Sequence, residues 1–95
     1  MHAAALRVEL HLPQARSLKE KRAAIKPIVD GSRHRFGVAA AEVGNLEAWQ
    51  RSELAFAAVA SSAGHVTDVL DSVERFVWSF PEVEVLSCER HWWEP

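Results

Sequence analysis

Polar and apolar residues alternate strictly through LRVELHL (6–12), with Leu6, Val8, Leu10 and Leu12 on one side and Arg7, Glu9 and His11 on the other. A period of two marks a strand with one buried face, and Pro13 ends it. The period then lengthens. Leu18, Ile25, Val29, Ser32 and Phe36 recur at helical spacing, with Ile28 at the margin of that face. Ser17 and Glu20 form the S-x-x-E pattern of a capping box, and Gly37 stands at the natural stop. Pro27 lies inside this segment, lacks an amide hydrogen and crowds the carbonyl of Ala23. Its penalty of roughly 3 kcal/mol is usually relieved by a kink, so one bent helix is expected.

VAAAEVG (38–44) reads as a short strand, NLEAWQ (45–50) as a structured connection and RSELAFAAVAS (51–61) as a longer strand. The last is small or apolar on both faces, the pattern of a central strand covered on both sides. Residues 63–80 give a second helix, on which Val66, Val69, Leu70, Val73, Val77 and Phe80 make one stripe. Pro81 stops it, and EVEVLSCER (82–90) gives a last alternating strand. The order is strand, helix, strand, strand, helix, strand. Two right-handed crossovers sharing one sheet predict an α+β, ferredoxin-like βαββαβ sandwich, a four-stranded antiparallel sheet with both helices on one face. No repeat or low-complexity linker divides residues 1–95, so one ferredoxin-like domain is expected.

Composition narrows the function classes. No apolar run approaches the roughly 20 residues of a membrane span. The start, MHAAALRVEL, lacks a basic region followed by a long apolar one, so neither a signal peptide nor membrane association is expected. The single cysteine, Cys88, excludes an internal disulfide and a four-thiolate metal site, and a reduced, cytoplasmic setting is expected. The net charge of −2 conceals an asymmetry. Residues 1–37 hold eight Lys/Arg (Arg7, Arg16, Lys19, Lys21, Arg22, Lys26, Arg33, Arg35) against three acids, whereas residues 38–95 hold three Lys/Arg against ten acids. Such a chain can bind a polyanion with one face or pair its two halves with each other.

Three stretches, VELHLPQARSLKEKR, RFGVAAAEVGNLEAWQRSEL and GHVTDVLDSVERFV, resemble the YlxP-like family of small bacterial proteins, the match running through about residues 3–90. The resemblance implies a ferredoxin-like fold and a gene often found beside translation and ribosome-maturation factors. It carries over no activity, ligand or catalytic residue. The tail HWWEP departs from the family pattern, with two adjacent tryptophans that the pattern does not require.

The basic helix is the first candidate site. At 100° per residue from Leu18, the residues Arg22, Lys26, Arg33 and Lys19 fall between about 40° and 100°, along one flank of the buried face. Lys21 falls on the opposite flank, and Arg16 precedes the cap. The stripe could track phosphates with salt-sensitive affinity. Alternatively, Glu20 and Asp30 dilute it, and Asp68, Asp71 and Glu74 of the second helix meet it across the helix pair. Reading of bases on the sheet is disfavoured. RNA-recognition sheets of this topology stack bases on central-strand aromatics; here the first strand offers Arg7, Glu9 and His11, and the third only Phe56, of either orientation.

Trp49, with Gln50 and Arg51 beside it, is the second candidate. The expectation is an anchor, the indole folding back on the domain with Asn45 shaping the turn; the alternative is a partner-binding aromatic. The alanine-rich strand 55–60 raises close packing of two bare sheet faces in a homodimer. Trp78 lies off the apolar stripe, and Trp92 and Trp93 either close the sheet edge or dock on a partner. His2, His91 and Cys88 would make a zinc corner only if the first and last strands brought them together, and their spacing matches no metal motif. Cys88 shows no thiolate-stabilising neighbourhood, and the glycines 31, 37, 44 and 64 are too scattered for a phosphate loop.

The expectation is therefore a non-enzymatic binding protein with no catalytic residues, cofactor, metal or small-molecule substrate. It would touch rRNA or a ribosome-associated protein through Arg16, Lys19, Lys21, Arg22, Lys26 and Arg33. The alternative is a homodimeric protein-interaction adaptor that uses the open sheet face and no nucleic acid.

Overall fold

A computed structural model describes residues 1–93. The elements are β1 (His2–His11), α1 (Leu18–Phe36), β2 (Ala39–Gly44), β3 (Arg51–Ala60), α2 (Ala63–Trp78) and β4 (Glu84–Trp92). The four strands lie in the order β2-β3-β1-β4, and every neighbouring pair is antiparallel. This is the expected ferredoxin-like α+β sandwich.

β1 carries its alternation straight into the core. Ala4, Leu6, Val8 and Leu10 are buried beneath the helices, with Leu6 opposite Phe56 and Val8 opposite Leu54 on β3. Ile25 and Ile28 of α1 and Val66, Leu70, Val73 and Val77 of α2 close the core from above. Phe56 is fully buried in it, so its orientation is toward the helices. The reading of β3 as covered on both faces is corrected. Ala57 and Val59 are exposed because both helices sit on the other side of the sheet.

The helix ends follow local chemistry. Ser17 Oγ accepts from the Glu20 amide at 3.0 Å, while Glu20 Oε1 accepts from the Arg16 amide at 3.1 Å, one residue earlier than in the usual reciprocal box. α1 stays continuous through Pro27 to the left-handed Gly37. Ala23 and Pro27 both lie on the exposed side, where water can reach the carbonyl that the proline leaves free. α2 stops at Trp78, two residues before the expected end. The residue preceding a proline is driven from helical geometry, and Phe80 instead donates to Val77 O at 3.2 Å in a tight turn. β4 accordingly starts later and runs further, with Trp92 opposite Ala4.

The two helices approach closely at Gly31, where a Cβ would stand 2.6 Å from the Phe76 ring. Arg35 lies over the same ring at 4.9 Å from its centroid. α2 therefore occupies the Gly31–Arg35 flank of α1. The opposite flank carries Arg22, Lys26 and Arg33, and Arg33 donates to the Ala40 carbonyl of the edge strand β2.

Candidate functional site

Lys21 leaves the basic surface altogether. Its side chain is 0% exposed, and its Nζ lies 2.9 Å from Glu42 Oε2 on β2. The ammonium also donates to the carbonyls of Asn45 (2.8 Å), Leu46 (3.3 Å) and Arg51 (3.2 Å), and Ser52 Oγ donates to Glu42 Oε2 at 2.8 Å. The buried charge is thus paired and saturated with acceptors, the condition under which a charge survives in a core. Its expected place on an outer flank is corrected: at about 300° on the helical wheel, Lys21 falls between Ile28 and Ile25. That angle, together with an acid at position 42, was the available signal.

The same network shapes the 45–50 connection. Asn45 takes a left-handed φ of 57°, which asparagine tolerates well. Gly44 permits the close packing of Glu53, whose carboxylate would clash with an added Cβ. Ala48 N donates to Asn45 O at 3.0 Å to close the turn. Gln50 Nε2 reaches Pro13 O (3.3 Å) and Ala15 O (3.1 Å), and its own carbonyl accepts from Leu12 N at 2.9 Å. Gln50 and Lys21 are the anchors here. The expected anchor, Trp49, stays 56% exposed, as does much of Leu46 in the same connection.

Of the remaining basic candidates, Arg16, Lys19, Arg22, Lys26 and Arg33 are all exposed. The buried face of α1 centres on Ile25, Ile28, Ser32 and Lys21, rotated by about 50° from the periodicity reading, so the stripe stands further from the core than expected. Lys26 pairs with Asp30 at 2.8 Å and Arg33 with the same residue at 3.5 Å. The Lys26 hydrogen bond, aided by Arg33, holds the Asp30 carboxyl below its usual range. Among the described residues, Arg16, Lys19 and Arg22 have no carboxylate within 4.0 Å. The alternative, pairing of the stripe with α2, is not made among the described residues. Asp71 and Glu74 turn toward Arg90 of β4, at 2.6 and 3.4 Å, and raise its pKa against the opposing effect of its burial.

The open sheet face divides in two. One half is a charge ladder in which Arg7 bridges Glu53 (3.2 Å) and Glu89 (2.8 Å), and Arg51 meets Glu9 (2.8 Å). The other half is alanine-rich and continues around the end of the sheet into an apolar cleft of about 790 Å³, lined by residues including Ala58, Val66, Val69, Phe36, Trp92 and Trp93. Small side chains on β1 and β3 leave this space unfilled. Trp93 adds a backbone bond to Ala3 O at 2.9 Å, and Trp78 is exposed on α2.

Cys88 and His91 point to opposite faces of β4, opposite Val8 and Ala5 respectively, so the zinc corner does not converge. Among the described residues, no group of three or more His, Cys, Asp or Glu is placed to hold a metal. Burial first, and then the Glu74 carboxylate, push the Cys88 thiol up, with Arg90 opposing. A thiol so held is a poor nucleophile. Among the described residues, no helix is long and apolar enough to cross a membrane.

A family model described as "Protein of unknown function (DUF503)" matches residues 3–90. The "Uncharacterized protein YlxP" of Bacillus subtilis (strain 168) is 40% identical over 78 residues, which cover 82% of this chain and 85% of that protein. The words behind the resemblance, SLKEKR and AEVG…WQR, supply Ser17, Lys21, Glu42, Gly44, Gln50 and Arg51, the parts that join α1 to the β2–β3 hairpin. The chain belongs to the DUF503, YlxP-like family.

Proposed function

We propose that the protein is a non-enzymatic, cytoplasmic binding protein that holds RNA of the translation machinery along the exposed flank of α1. The observation that carries this reading is the placement of the cations. Lys19 and Arg22, continued by Lys26 and Arg33, share the flank of α1 turned away from α2, with Arg16 just before the cap, and Asp71 and Glu74 of α2 are engaged by Arg90. Cations within the first turns of a helix are disfavoured by its dipole, by roughly 0.3–1 kcal/mol each when exposed. Departures from a local rule without a folding benefit concentrate at functional sites. Phosphate contact along α1 carries the binding, and base stacking on the sheet is disfavoured, since Phe56 is buried and the central strands present a charge ladder.

Sedimentation with ribosomes tests this. A Lys19/Arg22/Lys26→Glu variant is expected to stay in the supernatant where the wild type pellets, and the wild type is expected to be released by salt. Equal pelleting of the two overturns the reading. Capture that survives nuclease and salt would assign the partner as a ribosome-associated protein instead.

A second reading, a homodimeric adaptor, is favoured by the apolar end of the sheet, where Val59 is 66% exposed next to Ala57. A mass that rises with concentration in light scattering, abolished by Ala57→Asp, would support it. A monomer at all concentrations would remove it.

A further inference from the structure

We infer that Trp49 is a stacking platform for an unpaired base of the RNA whose phosphates lie along α1. This inference rests on the RNA-binding reading above and adds to it the kind of RNA and the residue that selects it.

The indole is presented by a loop held in place from both ends. Lys21 ties down the carbonyls of Asn45, Leu46 and Arg51 from beneath, and Gln50 clamps the far end to Pro13 and Ala15. A loop so constrained loses little further freedom when a ligand arrives. Yet Trp49 itself is more than half exposed, between the tied-down carbonyls of Leu46 and Gln50.

Its position ties it to the cations. Gln50, the next residue, bonds to the carbonyl of Ala15, the residue immediately before Arg16. Lys21, between Lys19 and Arg22 in the same turn, bonds to the loop that carries Trp49. The loop that carries Trp49 is therefore bonded to the same end of α1 that carries the first cations. Glu20, Glu47 and Glu82 are exposed acids near that end, Glu82 lining a small cleft with Ala15 and Glu20, against Arg16, Lys19 and Arg22.

An exposed π surface on a constrained loop, joined to the cation-bearing end of a helix, matches a nucleotide with its base free, because stacking needs an open base face while the phosphate needs positive charge. Bases in a duplex have both faces covered, and the deep groove of A-form RNA is closed to side chains. The ligand is accordingly a single-stranded loop, bulge or end.

Fluorescence anisotropy tests this, with a labelled single-stranded RNA 12-mer and a blunt RNA duplex of the same sequence at one low salt concentration. Trp49→Ala is expected to weaken single-strand binding by about 5- to 150-fold, the range for losing one stacked base. Duplex binding should change less than about twofold, and Trp49→Phe should recover most of the single-strand affinity, because any aromatic face can stack. If Trp49→Ala binds the single strand like the wild type while Lys19/Arg22/Lys26→Glu does not bind, this inference is overturned and the RNA-binding reading stands. If the wild type binds neither RNA, both fall. Equal losses on single strand and duplex would also overturn it, since a stacking residue distinguishes the two. Because Trp49 is exposed, an unchanged thermal midpoint for both Trp49 variants verifies that binding, not folding, is being read.

Discussion

Lys21 Nζ and Glu42 Oε2 stand 2.9 Å apart, joining the first turn of α1 to the edge strand β2, with the lysine wholly out of water. Removing one partner of a buried pair leaves an uncompensated charge, which costs about 3–5 kcal/mol, whereas replacing both with apolar groups is often near neutral. Lys21→Ala and Glu42→Ala are each expected to lower the urea midpoint sharply, and Lys21→Met/Glu42→Leu to recover much of the loss. Single variants as stable as the wild type would show that the pair is not buried as described.

Ser32 carries a different expectation. Its hydroxyl is buried on α1 with no hydrogen-bond partner among the described residues. A buried hydroxyl without a partner is destabilising by about 1–3 kcal/mol. Ser32→Ala should therefore leave stability unchanged or raise it. A fall of more than about 1 kcal/mol in denaturant unfolding would mean that the hydroxyl is satisfied in solution.

Asp30 gives a pH signature. Its folded pKa lies below the reference value of 3.8, through the Lys26 hydrogen bond first and the Lys26 and Arg33 charges besides, against a smaller opposing effect of desolvation. The associated stabilisation is present above the unfolded pKa and is lost as pH falls through the lowered folded value. In an NMR titration the Asp30 carboxyl should have its midpoint below 3.8 and move upward in Lys26→Ala. An unmoved midpoint would show that the ion pair does not form in solution.

Cys88 should label slowly. With its pKa raised above 9.0 by burial and by Glu74, its thiolate is scarce near neutrality, and alkylation should be slower than for a cysteine in an unfolded peptide. Glu74→Gln removes a like charge and should speed labelling. The opposite order would place the thiol in a different environment.

The strand alternation of residues 6–12 and the stripe from Val66 to Val77 were legible because each depends on local periodicity alone, and both appear in the structure at the expected faces. Pro81 also marked an ending, but its effect reached back through Phe80, so α2 closed earlier than its apolar pattern. The burial of Lys21 is not legible for another reason. Residue type argued for solvent, and only a partner distant in sequence, Glu42, makes its burial affordable in free energy. Trp49 and Gln50 exchanged roles similarly: the larger side chain was the expected anchor, but the amide could reach two free carbonyls at the entry to α1. Tertiary hydrogen bonding of this kind leaves no periodic trace. The basic flank itself was visible from spacing, while its distance from α2 depended on Gly31 admitting Phe76 on the other side.

The salt dependence of RNA binding tests the central claim most directly. Affinity for single-stranded RNA should fall linearly on a logarithmic salt axis, with a slope of about −0.7 per phosphate neutralised. Lys19/Arg22/Lys26→Ala should weaken binding at low salt and flatten the slope by about 2. A variant with the wild-type affinity and slope would contradict the assignment of α1 as the RNA-binding surface.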